Sequence, residues 1–155
     1  MGVFQQRDFS VKYTEVSENR WLVSSQLVDQ QHDIVTELEI DISTLRVSDA
    51  NIDFKRFPLE QCLELAEKSK KLIGCSVIHE LSRELDQLFS GPYGCPNLRH
   101  LFGISGPGFI YVYYPKLLSE GKMKQDEWWK IVGTKLRDDC IAHKMLSEQF
   151  EQKNK

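Results

Sequence analysis

The stretch SDANIDFKRFPLEQCLELAEKSKKLIG, residues 48–74, decides the fold because its hydrophobic period changes partway along. Before Pro58, apolar residues alternate with polar ones, as in a half-buried strand: Ala50, Ile52 and Phe54. After Pro58, which suits a first helical position, apolar residues recur at helical spacing: Leu59, Cys62, Leu63, Ala66 and Ile73. Gly74 then supplies a helix stop. The sequence predicts a strand ending at Arg56 and a helix over 58–74.

The residues before this stretch carry the same two-residue period. It recurs in three segments, SVKYTEV (10–16), RWLVSSQLV (20–28) and IVTELEIDI (34–42). Short polar stretches at 17–19 and near 43–44 separate neighbouring segments, as hairpin turns do. We predict an antiparallel meander of about four strands over 9–56, with one face in water and the other covered by helices.

The second half of the chain reads as mostly helical. Apolar spacing predicts helices over 78–89 and from the segment PNLRHLF onward, whereas 103–115 fits a helix or a short strand. The tail is predicted helical, with Asp126 as a cap and one apolar face: Ala142, Met145, Leu146 and Phe150. The predicted core includes Leu63, Ile73, Leu81, Leu85 and Leu101. We expect one α+β domain over 1–155, frayed at 1–8 and 151–155.

The composition argues against two classes of binding partner, nucleic acid and membranes. The chain has 155 residues and a formal net charge of -3, so it offers no general attraction for nucleic acid or an anionic membrane. It has no apolar segment with the length of a signal peptide core or a spanning helix. We therefore expect a cytoplasmic protein with neither a nucleic-acid nor a membrane partner. An exposed edge of the meander favours a homodimer.

The cysteines are the first candidates for chemistry. Cys62, Cys75, Cys95 and Cys140 contain no CxxC pair, and a reducing cytosol disfavours disulfides. A buried thiol in the core is their ordinary explanation. Cys95 differs because it directly precedes a predicted helix, where free N–H groups and the helix dipole favour a thiolate. Such a thiolate suits a nucleophile or a metal ligand.

Several short motifs carry a family resemblance. In order they are LVDQQHDI (27–34), FKRFPLEQC (54–62), KKLIG (70–74), GCPNL (94–98) and DDCIA (138–142). Together they resemble the bacterial domain-of-unknown-function family 2889 over residues 21–142, a family that brings no established activity. The residues that fall on its motif positions are Asp29, His32, Cys62, Cys95 and Cys140. Cys75 does not, and Asn97 stands where the family tends to carry histidine.

A fainter likeness concerns a possible metal site. The layout is similar to that of U-type iron–sulfur cluster scaffold proteins, which implies that His32, Cys62 and Cys95 are ligands. Asp29 or Asp33 would complete the shell. Neutral imidazole and thiolates are ligands that zinc accepts at tetrahedral sites, so the cofactor implied is zinc or an iron–sulfur cluster.

Three functions follow from these residues. The first is an accessory or carrier protein that holds a metal or sulfur species through His32, Cys62, Cys95 and Asp29. The second is a module for a small organic acid or another anion, bound by Arg99 and His100 beside a helix N-terminus. The third is an enzyme with Cys95 as nucleophile and His32 as base. We favour a non-enzymatic role; the partner protein stays unidentified.

Overall fold

The structure, a computed structural model, describes residues 1–153. Its contacts divide the chain into two compact units, Met1–Phe109 and Ile110–Lys155. That the chain is one domain stays a prediction. Of the residues expected to fray, 154 and 155 lie outside the described part of the chain, and the last helix extends to Lys153.

The first unit is built on a four-stranded antiparallel sheet. Its strands are β1 (Asp8–Ser17), β2 (Arg20–Val28), β3 (Asp33–Asp41) and β4 (Arg46–Arg56). They lie side by side in chain order, each antiparallel to the next. The predicted meander is therefore confirmed, and the turns fall at the predicted polar stretches.

The register of the sheet puts the alternating apolar residues on one face. Across β2 and β3, Trp21 pairs with Ile40 and Val23 with Leu38, and Leu38 pairs in turn with Ala50 of β4. All five side chains are buried. Cross-strand pairs of this kind are the unit of sheet stabilisation, and here they form the base of the core.

The segment after β4 is helical, but as a 3₁₀ helix over Glu60–Leu72. A 3₁₀ helix has three residues per turn, so residues three apart share a face. Leu63, Ser69 and Leu72 lie on one such row, and Ile73 follows the last residue of the helix. Ser69 and Leu72 are buried, whereas Leu63 and Ile73 are each 47% exposed, so the prediction that these two belong to the core is wrong.

Two α-helices complete the first unit, α1 (Leu81–Phe89) and α2 (Pro96–Gly108). The predicted core residues Leu81, Leu85 and Leu101 are buried. Helix α2 packs against β2 and β3, and α1 packs against α2 through the stacked rings of Phe89 and Phe102. The first of these helices begins three residues later than predicted, because residues 78–80 belong to a turn.

The second unit is helical, with α3 (Ile110–Ser119), α4 (Gln125–Thr134) and α5 (Ile141–Lys153). The ambiguous segment 103–115 is thus helical on both sides of a turn at Phe109. The N-cap of α4 is Lys124 and not Asp126, which lies in the first turn.

The buried face of α5 also differs from the prediction. It carries His143 and Ser147, while Met145 is 54% exposed. The ring of His143 stacks on Tyr111, and its Nδ1 lies 3.1 Å from the Leu136 carbonyl oxygen. The buried face of α5 therefore carries polar side chains with hydrogen-bond partners in the same unit, in place of the apolar side chains that were expected there. Within residues 1–153, no helix has both the length and the apolar character required to cross a membrane.

Candidate functional site

A groove of about 660 Å³ lies in the first unit and is lined by three separate segments. The loop before β3 contributes His32, the 3₁₀ helix contributes Cys62, and the loop before α2 contributes Cys95. Both thiols are half-buried and unpaired. The structure therefore brings three of the predicted site residues to the lining of one groove.

The 3₁₀ geometry explains why Cys62 faces this groove. Residues three apart on such a helix lie above one another, and a row with that spacing lines the groove: Leu59, Cys62, Leu65 and Lys68. Ser69 lies on another row and is buried, and its hydroxyl donates to the carbonyl of Ala50 in β4. One helix thus contacts the sheet through Ser69 and forms the groove with a different row.

The loop that carries Cys95 is held from two sides. The Cys95 N–H donates to the carbonyl oxygen of Phe89 at 2.9 Å, and Lys68 of the 3₁₀ helix donates to the carbonyl of Tyr93. Gly94 packs so closely against the Phe89 carbonyl that a Cβ atom would collide with it. Cys95 itself is the N-cap of α2, in extended conformation, with Pro96 as the first helical residue.

Asp29 lies beneath His32 and is almost completely buried, with a side chain 2% exposed. Its Oδ2 accepts from Arg7 Nε at 2.8 Å, and its Oδ1 accepts from the backbone N–H groups of Gln31 and His32 at 2.8 and 2.7 Å. His32 Nδ1 lies 2.9 Å from Oδ1. A carboxylate has about four acceptor positions, so these four donors fill them.

These contacts also set the charge of Asp29. Burial by itself raises the pKa of the carboxyl group, but hydrogen bonds from Arg7, His32 and the two backbone N–H groups outweigh it and hold the pKa well below its usual range. Asp29 is therefore an ionised carboxylate with its acceptor positions occupied. It contacts His32 Nδ1 and can orient that ring, and its expected role as a metal ligand stays a prediction.

The ring of His32 also contacts Asn97, whose amide is held by Arg7. Arg7 donates from a terminal nitrogen to Asn97 Oδ1 at 2.6 Å, and Asn97 Nδ2 lies 3.3 Å from His32 Nε2. Because a guanidinium can only donate, the amide oxygen faces Arg7 and the amide N–H₂ faces the ring. In the tautomer with the proton on Nδ1, Asp29 accepts from Nδ1–H and Nε2 accepts from the amide of Asn97.

The turn that carries Asp29 and His32 is anchored to the end of β4. Arg56 donates to the Asp29 carbonyl oxygen at 2.6 Å and to that of His32 at 3.2 Å. The Asp29 N–H also donates to the His32 carbonyl oxygen at 2.9 Å. Position 32 is thereby held close to the start of the 3₁₀ helix that follows β4.

Sequence reasoning missed three of these residues, Arg7, Asn97 and Arg56. Arg7 lies in a segment that was expected to fray, and it contacts residues 22 and 90 positions away in sequence. No local pattern signals such contacts. Asn97 was noticed as a departure from the family pattern, although its contact with His32 was not foreseen.

The residues proposed for anion binding lie elsewhere. Arg99 forms an ion pair with Asp86 at 2.7 Å, and the His100 ring lies 6.0 Å from that of Phe9. Neither lines the groove. Cys75 is also outside the groove; burial, with smaller contributions from Glu84 and Glu80, raises the pKa of its thiol.

A metal ion would need three or more ligands in close reach. Among the histidine, cysteine, aspartate and glutamate side chains of residues 1–153, no group of three is arranged to hold one. His32, Cys62 and Cys95 therefore share a groove without forming a closed coordination site in this conformation.

Comparison with known proteins places the chain in one family. No curated protein and no solved structure matches it, and the likeness to iron–sulfur scaffold proteins is unsupported. A family model does match, over residues 5–108, which span the sheet, the groove and the contacts of Arg7 and Asn97. This match covers more than half of the chain. The chain therefore belongs to the family described as Protein of unknown function (DUF2889).

Proposed function

We propose that the groove is the functional site and that it binds a divalent metal ion of the zinc class through His32, Cys62 and Cys95. The observation that carries this proposal is the Asp29–His32 pair at the edge of a groove lined by two thiols. Zinc accepts imidazole nitrogen and thiolate sulfur. A metal-binding histidine usually donates its other ring N–H to a carboxylate or carbonyl, as His32 Nδ1 does to Asp29.

Three protein ligands leave one tetrahedral position open, which suits a protein that delivers a metal ion to a partner or receives one. We therefore assign the protein an accessory or carrier role. A reducing bacterial cytoplasm is the compartment we propose, because both thiols must stay reduced to act as ligands and all four cysteines are unpaired.

Binding requires the ligands to approach within about 2.0–2.3 Å of the ion, so part of the groove must move inward. The 3₁₀ helix that carries Cys62 is the element we expect to move. It spans 13 residues, whereas runs beyond three or four are uncommon and often mark a hinge or a strained sequence. Each residue that changes to α-helical geometry shortens the helix by about 0.5 Å, enough over several residues to shift Cys62.

Cobalt(II) titration tests this proposal, because thiolate–cobalt bonds give intense absorption in the near ultraviolet and a tetrahedral site absorbs in the visible. The wild-type protein should bind cobalt and exchange it for zinc. His32→Ala, Cys62→Ser and Cys95→Ser should each weaken binding strongly. Cys75→Ser, which changes a thiol of the same unit outside the groove, should bind as the wild type does. Absence of binding in the wild type, or equal binding in all variants, would refute the proposal.

A cysteine-dependent enzyme is the second candidate, and one observation favours it. Cys95 is the N-cap of α2, and Asn97 in the first turn of the same helix contacts the ring of His32. Cys95 as nucleophile, His32 as base and Asp29 as the orienting carboxylate would form a three-residue arrangement. The contacts of Arg99 and His100 give the anion-binding function no comparable support.

The two candidates differ in their need for Cys62. If His32 acts as a base for Cys95, His32→Ala should slow alkylation of Cys95 by iodoacetamide at neutral pH, and Cys62→Ser should leave that rate unchanged. A metal site instead requires both thiols. A Cys95 alkylation rate that is insensitive to His32→Ala in metal-free protein would remove the enzyme candidate.

A further inference from the structure

We infer that Asn97 controls access to the Nε2 lone pair of His32 by donating its amide N–H to that nitrogen. Nε2 is the atom that a metal ion would take or that a base would use. The metal-binding consequence of this inference rests on the proposed function; the state of Nε2 follows from the contacts alone.

The contacts form a closed ring of four side chains. Arg7 donates to Asp29 and to Asn97, Asp29 accepts from His32, and Asn97 donates to His32. Each member therefore fixes the orientation of the next. Arg7 prevents the amide of Asn97 from turning over, because the reversed amide would direct N–H₂ at the guanidinium.

The contact with Asn97 occupies His32 Nε2. At 3.3 Å this contact is longer than an ordinary N–H hydrogen bond, so an incoming ligand can replace it. The His32 side chain is only 16% exposed, which restricts other routes to its ring. Asn97 thus holds Nε2 in a protected state until a stronger ligand arrives.

Carbethoxylation with diethyl pyrocarbonate tests this without any metal, because the reagent acylates the unprotonated nitrogen of a neutral imidazole. His79 and His100 are exposed and serve as references within the same molecule. In metal-free wild-type protein His32 should react more slowly than either. Asn97→Ala and Asn97→Leu should each raise the His32 rate relative to His100 by roughly two- to tenfold, the factor expected for loss of one neutral hydrogen bond.

Control variants distinguish the effect of the Asn97 hydrogen bond on the His32 rate from the effects of side-chain volume and of unfolding. Gln61→Leu removes an amide elsewhere in the groove and should leave the His32 rate unchanged. If Asn97→Ala accelerates the reaction and Asn97→Leu does not, the side chain shields His32 by volume alone and the inference is wrong. It is also wrong if neither variant changes the rate. Unaltered circular dichroism melting would show that each variant is folded.

Cobalt titration then connects the inference to the proposed function. If the groove binds metal, Asn97→Leu should bind cobalt more tightly than the wild type by a factor of the same size as its gain in carbethoxylation rate. If carbethoxylation accelerates while no variant binds cobalt, the metal proposal fails and the role of Asn97 stands. If cobalt binds but Asn97 variants leave both the rate and the affinity unchanged, the proposed function stands and this inference fails.

Discussion

Replacing Asp29 by asparagine should destabilise the fold by about 1–3 kcal/mol at neutral pH, the usual cost of leaving buried hydrogen-bonding groups unsatisfied. The Arg7 side chain is 42% exposed, so the cost of a fully buried ion pair does not apply. The size of Asn matches that of Asp, so no cavity forms. However, Oδ2 of Asp29 faces Arg7, and Oδ1 faces the two backbone N–H groups, with the His32 ring donor shared between them. Whichever way the new amide turns, its N–H₂ meets a donor, and Arg7 loses its carboxylate.

The stabilisation that Asp29 contributes to the fold decreases as the pH falls. Hydrogen bonds from Arg7 and His32 outweigh burial and keep the pKa of Asp29 in the folded protein below its ordinary value. The folded state thus binds this proton less readily than the unfolded chain does. The stabilisation is fully present above about pH 5 and is lost as pH falls through the folded pKa, by about 1.4 kcal/mol per unit below about pH 4.

Urea unfolding followed by circular dichroism measures both effects. Wild type and Asp29→Asn are compared at pH 7 and pH 3, and the difference between them isolates Asp29 from the other carboxylates. Asp53→Asn, an exposed position on β4, is the matched control and should change stability by less than about 0.5 kcal/mol. A loss below about 1 kcal/mol for Asp29→Asn at pH 7, or a difference that is the same at both pH values, would refute the account of this carboxylate.

Three further predictions concern the core and the loop of Cys95. Leu85 is 1% exposed, so Leu85→Ala should cost about 2–5 kcal/mol in chemical denaturation, and a loss under about 1 kcal/mol would contradict its burial. Gly94→Ala should cost about 1–3 kcal/mol because its Cβ meets the Phe89 carbonyl, whereas Gly133→Ala, where that space is open, should not destabilise the protein. Zinc should slow thiol labelling of Cys95 in the wild type but not in His32→Ala; equal labelling with and without zinc would count against Cys95 as a ligand.

The sheet was predictable because its signal is local and redundant. Each strand shows the two-residue period independently of the others, and polar turns separate one strand from the next. One uncertain position therefore does not alter the predicted sheet. The 3₁₀ helix was not predictable in the same way. Its apolar residues fit a spacing of 3.6 in sequence, whereas the folded segment has three residues per turn. The period alone does not decide burial, because Leu63 shares a row with the buried Ser69 and Leu72 and is itself exposed. Burial along this row depends on which part of the helix contacts other segments, and the sequence does not show that.

The site was predictable in part. The motif residues His32, Cys62 and Cys95 were expected to be ligands of one metal site, and all three line one groove. The contacts of Asp29 were not foreseen, because a carboxylate three positions before a histidine fits a metal ligand as well as an orienting partner. The burial of Asp29 and its contact with Arg7 depend on how segments distant in sequence pack together.

The charge of Asp29 is balanced by a residue distant in sequence. A buried carboxylate requires a compensating positive charge, and a neighbouring histidine can supply it by becoming imidazolium. Here Arg7 lies 2.8 Å from Asp29 and supplies that charge, so Asp29 requires only a hydrogen bond from Nδ1–H of His32. A metal ion and a thiol both require a lone pair on the other ring nitrogen, Nε2, so the residue just before β1 is part of what prepares the groove for the proposed function.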